Sequence, residues 1–122
     1  MRDHTKLKAF ALADELAILI YKATSTFPRQ EVFGLTSQMR RAAVSAASNI
    51  VEGCARDSQS EYLRFLDMAF GSLKEVQYQA SLAHRLKMVK DEEYDRLRAA
   101  CQSAVMTLGG LINHYRKRGA DE

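Results

Sequence analysis

Two stretches of the chain repeat apolar residues at alternating spacings of three and four: Tyr62, Leu66, Ala69, Leu73, Val76, Ala80 and Ala83, then Tyr94, Leu97, Cys101, Ala104, Leu108, Leu111 and Tyr115. This spacing holds one row of side chains against a neighbouring helix for many turns, whereas a strand alternates every second residue. Two long amphipathic helices are therefore set, and the remaining residues must supply the surfaces that cover them.

Those residues read as two more helices. The first is expected from about Lys6 to Thr26, with Phe10, Ala13, Ala17, Ile20 and Thr24 on its buried face and Leu12, Leu16 and Leu19 as a second row beside it. Phe27-Pro28 stops it, because a residue before proline is pushed out of helical geometry. Phe33, in the joint that follows, is expected to plug the end of the bundle. Thr36 is the expected N-cap of the second helix and Gly53 its end. Ser58 followed by Glu61 reads as a capping box opening the third helix, which runs to Leu86 or Lys87. Asp91 is the expected cap of the fourth, with Glu92, Glu93 and Asp95 near its positive end and Arg116, Lys117 and Arg118 near its negative one. With one proline and short joints, consecutive helices become antiparallel neighbours. The fold class is all-α, an up-down-up-down four-helix bundle, and residues 1–122 are expected to form one domain.

At 122 residues, 47% hydrophobic and 27% charged, the chain has enough apolar surface for a core without metals or disulfides. Cys54 and Cys101 lack metal-like spacing and read as buried, reduced thiols. No apolar run approaches the roughly 20 residues that cross a bilayer. Nor does Met1-Arg2-Asp3-His4-Thr5-Lys6 lead into a secretory signal, so a cytoplasmic protein is expected.

The second helix carries more apolar surface than a lone bundle can hide. At 100° per residue, Leu35, Met39, Ala42, Ala46 and Ile50 share one face, while Val44, Ala47 and Val51 lie nearly opposite, separated by Gln38, Arg41, Ser45, Ser48, Glu52 and Arg56. In the absence of a membrane signal, the surplus rows are expected to face further copies of the chain.

Catalytic and metal chemistries find little support. There is no Glu-x-x-His for a di-iron site, no His-Glu-x-x-His for zinc, and no glycine-rich phosphate loop. Ser45 and Ser48 have no nearby histidine to activate them. His4, His84 and His114 read as surface or terminal residues, and Gly109-Gly110 as a place where helices approach. No catalytic residue, metal or cofactor is expected. The net charge of +3, from 18 basic and 15 acidic side chains, permits nucleic acid as a partner. Arg40, Arg41, Arg56 and Arg64 are the candidate phosphate contacts, since a guanidinium donates a planar fork of hydrogen bonds and keeps its charge. The simpler alternative pairs Glu52 with Arg56 four residues on, and Arg41 with Ser45 or a carboxylate. Asn49, Glu52 and Glu75 are expected to hold helices together. Arg116-Lys117-Arg118 reads as a solvated helix end.

The segments Phe27-Pro28, Gly34-Leu35-Thr36-Ser37-Gln38-Met39-Arg40-Arg41-Ala42-Ala43-Val44-Ser45, Ser48-Asn49-Ile50-Val51-Glu52-Gly53, Ser60-Glu61-Tyr62-Leu63-Arg64-Phe65-Leu66 and Gly71-Ser72-Leu73-Lys74-Glu75 together resemble the signature of 23S rRNA intervening-sequence proteins. The accessory variability protein of diversity-generating retroelements is similar to the same group. The resemblance implies a homopentameric four-helix bundle with a basic surface that binds RNA or DNA and, in a retroelement context, a reverse transcriptase. Three positions depart from the family pattern. Ala47 stands where proline is common, which predicts a straighter second helix. Ala55 replaces a glycine before Arg56. Phe70 replaces an arginine before Gly71-Ser72, removing a positive charge. The functional expectation is a non-enzymatic, oligomeric nucleic-acid binder; the alternative is a protein-interaction scaffold.

Overall fold

The computed structural model describes residues 2–121, with side chains through residue 118. Four helices follow one another: α1 (Lys8–Thr24), α2 (Leu35–Cys54), α3 (Gln59–Arg85) and α4 (Asp91–Asp121), with 3₁₀ turns at His4–Lys6 and Arg29–Glu31. No strand occurs among the described residues. Helix α1 packs on α2 and α4, and α3 packs on the same two, so the helices form the antiparallel square of a four-helix bundle.

The stripes of α3 and α4 supply half the core. All seven α3 positions named above are buried, as are Leu97, Cys101, Ala104 and Leu108, while Tyr94, Leu111 and Tyr115 are half-buried at the rim. On α2, Leu35, Met39, Ala42, Ala46 and Ile50 are buried as expected. Each fully buried Leu, Ile or Met contributes about 1.5–3 kcal/mol by leaving water. Helix α1 is rotated from the expected orientation. Its buried row is Ala9, Ala13, Leu16, Ile20, Ala23 and Thr24, whereas Phe10 and Ala17 are only half-buried. Leu16 thus belongs to the core, because the larger side chain fills the centre where α1 meets two helices. Of the expected surplus rows, Val44 is 42% exposed and Ala47, Val51, Leu12 and Leu19 are half-buried, while Ile18 and Tyr21 on α1 add apolar surface at 52% and 46% exposure.

Several helix ends differ from expectation. Thr36 is buried within the first turn of α2; Gly34 holds the cap position, and the Glu31 carboxylate accepts from the Leu35 N–H at 3.0 Å. Gly53 does not end α2, which runs on to Cys54. A Cβ at Gly53 would lie 2.9 Å from Phe65 Cβ and 3.3 Å from the Tyr62 carbonyl, so this glycine serves a close crossing with α3. Ser58 caps α3 by accepting from the Glu61 N–H at 3.1 Å, but the Glu61 side chain turns to Arg64 rather than back to the cap. Asp91 is the first residue of α4, not its cap, because its carboxylate meets His84 Nε2 at 2.8 Å. Phe33 does not plug the bundle: it is 94% exposed. Van der Waals closure of that end falls to Phe27 and Val89, both buried.

Helix α3 ends on Lys87 at φ 62°, with Met88 N–H bonded to the Ala83 carbonyl and Lys87 N–H to the His84 carbonyl, both at 2.9 Å. This is the two-bond Schellman close, with lysine where glycine is usual. Cys54 and Cys101 are free and buried, and burial pushes the Cys101 thiol up to about 11. Gly109 faces Phe70 across the α3–α4 contact, whereas Gly110 has open space beside it. Helix α2 is continuous through Ala47, as the absence of proline predicts. No helix is long and apolar enough to cross a membrane.

Candidate nucleic-acid interface

The bundle topology divides the four candidate arginines. Arg40 and Arg41 lie in the first half of α2. Arg56 follows its end and Arg64 opens α3, so these two share the end of the bundle where the chain begins. Cys54 lies thirteen positions beyond Arg41 on α2, a distance of about 20 Å at 1.5 Å per residue.

Arg40 is committed to α1. Its Nε donates to Thr24 Oγ1 at 2.8 Å, a second nitrogen reaches the Tyr21 carbonyl at 3.4 Å, and its Cζ lies 4.6 Å from the Tyr21 ring centroid. The cation thereby meets the last turn of α1, where carbonyls lack helical partners and the dipole is negative. Arg41 points elsewhere because successive residues on a helix differ by 100°. It is exposed and bonds to no described residue. Ser45, its expected partner, instead receives Asn49 Nδ2 at its carbonyl (2.9 Å) and hydroxyl (3.1 Å), and Ser72 Oγ at 3.1 Å. Ser72 thus ties α3 to α2, whereas the bonds of Asn49 stay within α2. Glu75 accepts from Gln79 Nε2 at 3.4 Å within α3, so neither Asn49 nor Glu75 bonds across helices as expected, and Glu52 is exposed and bonds to no described residue.

Arg56 and Arg64 converge on one ring. Their Cζ atoms lie 4.8 and 4.7 Å from the centroid of Phe65, which is 5% exposed. Glu61 grips Arg64 with two bonds, Nε to Oε2 at 2.9 Å and a second nitrogen to Oε1 at 3.1 Å. The Arg64 hydrogen bond holds the Glu61 carboxyl below the usual range, and Glu61 in turn raises Arg64. Arg56 forms no ion pair with Glu52 or with any other described carboxylate. The four-residue spacing fails because α2 has already ended at Cys54, so Arg56 leaves the helical path and rests on Phe65.

Gly53, Phe65 and Arg2 were not singled out from the sequence as parts of this site. Gly53 admits the Phe65 Cβ and the Tyr62 carbonyl, and Phe65 carries two guanidiniums. The Arg2 N–H donates to the Cys54 carbonyl at 2.8 Å, bringing residue 2 to the end of α2. Periodicity marks helices but carries no signal for such pairings across joints.

Against known families, residues 5–110 match the model described as 23S rRNA-intervening sequence protein. The chain belongs to that family. A solved structure from Bacteroides thetaiotaomicron, a protein of unknown function from the S23 ribosomal protein family, superposes with a TM-score of 0.76 at 22% identity, covering 85% of this chain and 97% of the other. That likeness shows the fold. No curated protein matches the chain. Within the family's matched span lie all four candidate arginines, Gly53 and Phe65, whereas Arg2 and Arg118 lie outside it.

Proposed function

We propose that this family member is a non-enzymatic, cytoplasmic homo-oligomer that binds RNA or DNA through phosphate contacts. The observation that carries the reading is Arg56 and Arg64 over Phe65 with a single carboxylate, Glu61, bonded to Arg64 and none to Arg56. A ring fixes a guanidinium through its face and leaves the edge donors open to an anion. Arg56 and Arg41, which pair with no described carboxylate, are the phosphate contacts; Arg64 adds its charge beside Arg56 from its pair with Glu61, and Arg40 is assigned to the α1–α2 joint. A pentamer, as the resemblance implies, multiplies these charges, so a chain of net charge +3 builds a strongly basic assembly. The exposed Ile18, Tyr21 and Val44 support association.

Electrophoretic retention of labelled RNA and DNA at low salt tests the binding. Retention that falls steeply with ionic strength is expected, and none at low salt would overturn the reading. Light scattering tests assembly: a mass of 13.7 kDa at micromolar concentration would remove the oligomer. A second reading, a protein-interaction scaffold, is favoured by Phe33 and Val32, exposed at 94% and 51% at the opposite end; a reverse transcriptase is the partner it names in a retroelement setting.

A further inference from the structure

The end of the bundle that carries Arg56 and Arg64 holds a second group of arginines resting on rings. Arg2 is anchored by its backbone bond to Cys54, and its Cζ lies 3.8 Å from the Tyr62 ring centroid and 5.7 Å from that of Tyr115. Tyr62 and Tyr115 meet edge to face at 5.3 Å, and Arg118 lies 6.0 Å from the Tyr115 centroid. Tyr62 and Phe65 are three residues apart on α3 and so are neighbours on its surface, about 5–6 Å between Cβ atoms. The two ring clusters therefore adjoin, one fed from the chain's start and the end of α4, the other from the α2–α3 turn.

Three acids at this end are engaged, whereas Glu52, in the last turn of α2, is exposed and bonds to no described residue. Asp3 accepts from Thr5 N–H at 3.0 Å and Thr5 Oγ1 at 2.6 Å, Glu61 holds Arg64, and Asp67 holds Arg116. Asp57 is exposed beside Arg56 and bonds to no described residue. Arg2, Arg56 and Arg118 pair with no described carboxylate, although like charges brought together repel one another. A bound polyanion would relieve that repulsion. The rings of Tyr62, fully buried, and Phe65, nearly so, are closed to bases, while Tyr115 is half-buried beneath Arg2 and Arg118. What remains open is the set of guanidinium edges, and these match phosphate oxygens.

We infer that Arg2, Arg56 and Arg118 form one track across this end of the bundle that takes the sugar-phosphate backbone of a polynucleotide without reading its bases, with Arg64 held beside it by Glu61. The inference rests on the nucleic-acid reading above and specifies its surface. The track spans three guanidiniums from three parts of the chain, so it binds consecutive phosphates rather than a single anion.

Fluorescence anisotropy of the full chain with a labelled single-stranded oligonucleotide of about 20 residues, titrated with salt, tests the track. Arg2→Gln/Arg118→Gln is expected to weaken binding about tenfold or more at low salt. It should also flatten the plot of log affinity against log salt by about 1.4, two contacts at about 0.7 each for a single strand. Scrambling the oligonucleotide sequence is expected to leave affinity within about twofold. Circular dichroism checks folding; should the double variant lose helicity, the exposed Arg118→Gln alone must still lower the slope by about 0.7. Wild-type binding with an unchanged slope in these variants overturns the track and leaves the broader reading standing. No wild-type binding overturns both. Competition by inorganic phosphate beyond that of chloride at equal ionic strength would make this a single-anion site and also overturn the track.

Discussion

The two ends of the bundle hold their arginines differently. At the end built from the chain's start, the α2–α3 turn and the end of α4, Arg2, Arg56 and Arg118 lie over Tyr62, Phe65 and Tyr115 and have no described carboxylate partner. At the opposite end, Arg40 also lies over a ring, that of Tyr21, but it hydrogen-bonds Thr24 as well. His84 there meets Asp91 at 2.8 Å and stacks on Tyr94 with centroids 4.2 Å apart. Both ends contain basic residues. The difference lies in the bonds made: the side chains of Arg2, Arg56 and Arg118 have no described hydrogen-bond partner, whereas Arg40 is bonded into the α1–α2 joint.

The strongest way to break this contrast is at Gly53. Gly53→Ala places a Cβ 2.9 Å from Phe65 Cβ, and we expect a loss of about 1–3 kcal/mol in urea unfolding, with weakened nucleic-acid binding because Phe65 and its two arginines move. Gly71→Ala is the control, since nothing lies within 4 Å of its added Cβ; in a helix it should gain about 0.5–1 kcal/mol. Equal effects at the two positions would remove the close-crossing account.

At the opposite end, Arg40→Ala should cost about 1 kcal/mol by deleting the bond to buried Thr24. It should leave oligonucleotide affinity unchanged once the protein is folded. A drop in affinity matching that of Arg56→Gln would return Arg40 to the binding surface. Lys87→Gly should add about 0.5–1 kcal/mol, because φ 62° suits glycine better than lysine. Thermal melts resolve both changes.

A smaller effect is expected at alkaline pH. Burial pushes the Tyr62 hydroxyl up to about 12 from an ordinary 10, so the folded state keeps a proton that the unfolded chain releases. The stability tied to that proton is fully present below pH 10 and declines as pH rises towards 12. Tyr62→Phe, which also removes a buried hydroxyl without a hydrogen-bond partner, should flatten this decline in unfolding midpoints measured from pH 9 to 12. An unchanged slope would mean that Tyr62 is ionised or exposed in the folded protein.

Much of the bundle was legible because its signals are local. The α3 and α4 stripes, the Ser58 cap and the stop at Phe27-Pro28 each depend on residues within a few positions of one another. The α1 row was less legible, because Phe10, Ala17 and Leu16 all fit a helical stripe and only the neighbouring helices select Leu16. At the candidate site, the place of Arg56 and Arg64 beside the α2–α3 turn was legible from the helix order. The roles of Arg40, Arg2 and Phe65 were not, because Thr24 is sixteen residues from Arg40 and Tyr62 is sixty from Arg2.

By itself the sequence determined four helices, their antiparallel order and the buried rows of α2, α3 and most of α4, since helical periodicity and short joints act over a few residues. Tertiary structure decided the rotation of α1, the passage of α2 through Gly53, and which arginines rest on rings with open donors. Those outcomes depend on packing between side chains distant along the chain, where shape and unused hydrogen-bonding groups select the partner and sequence spacing gives no preference.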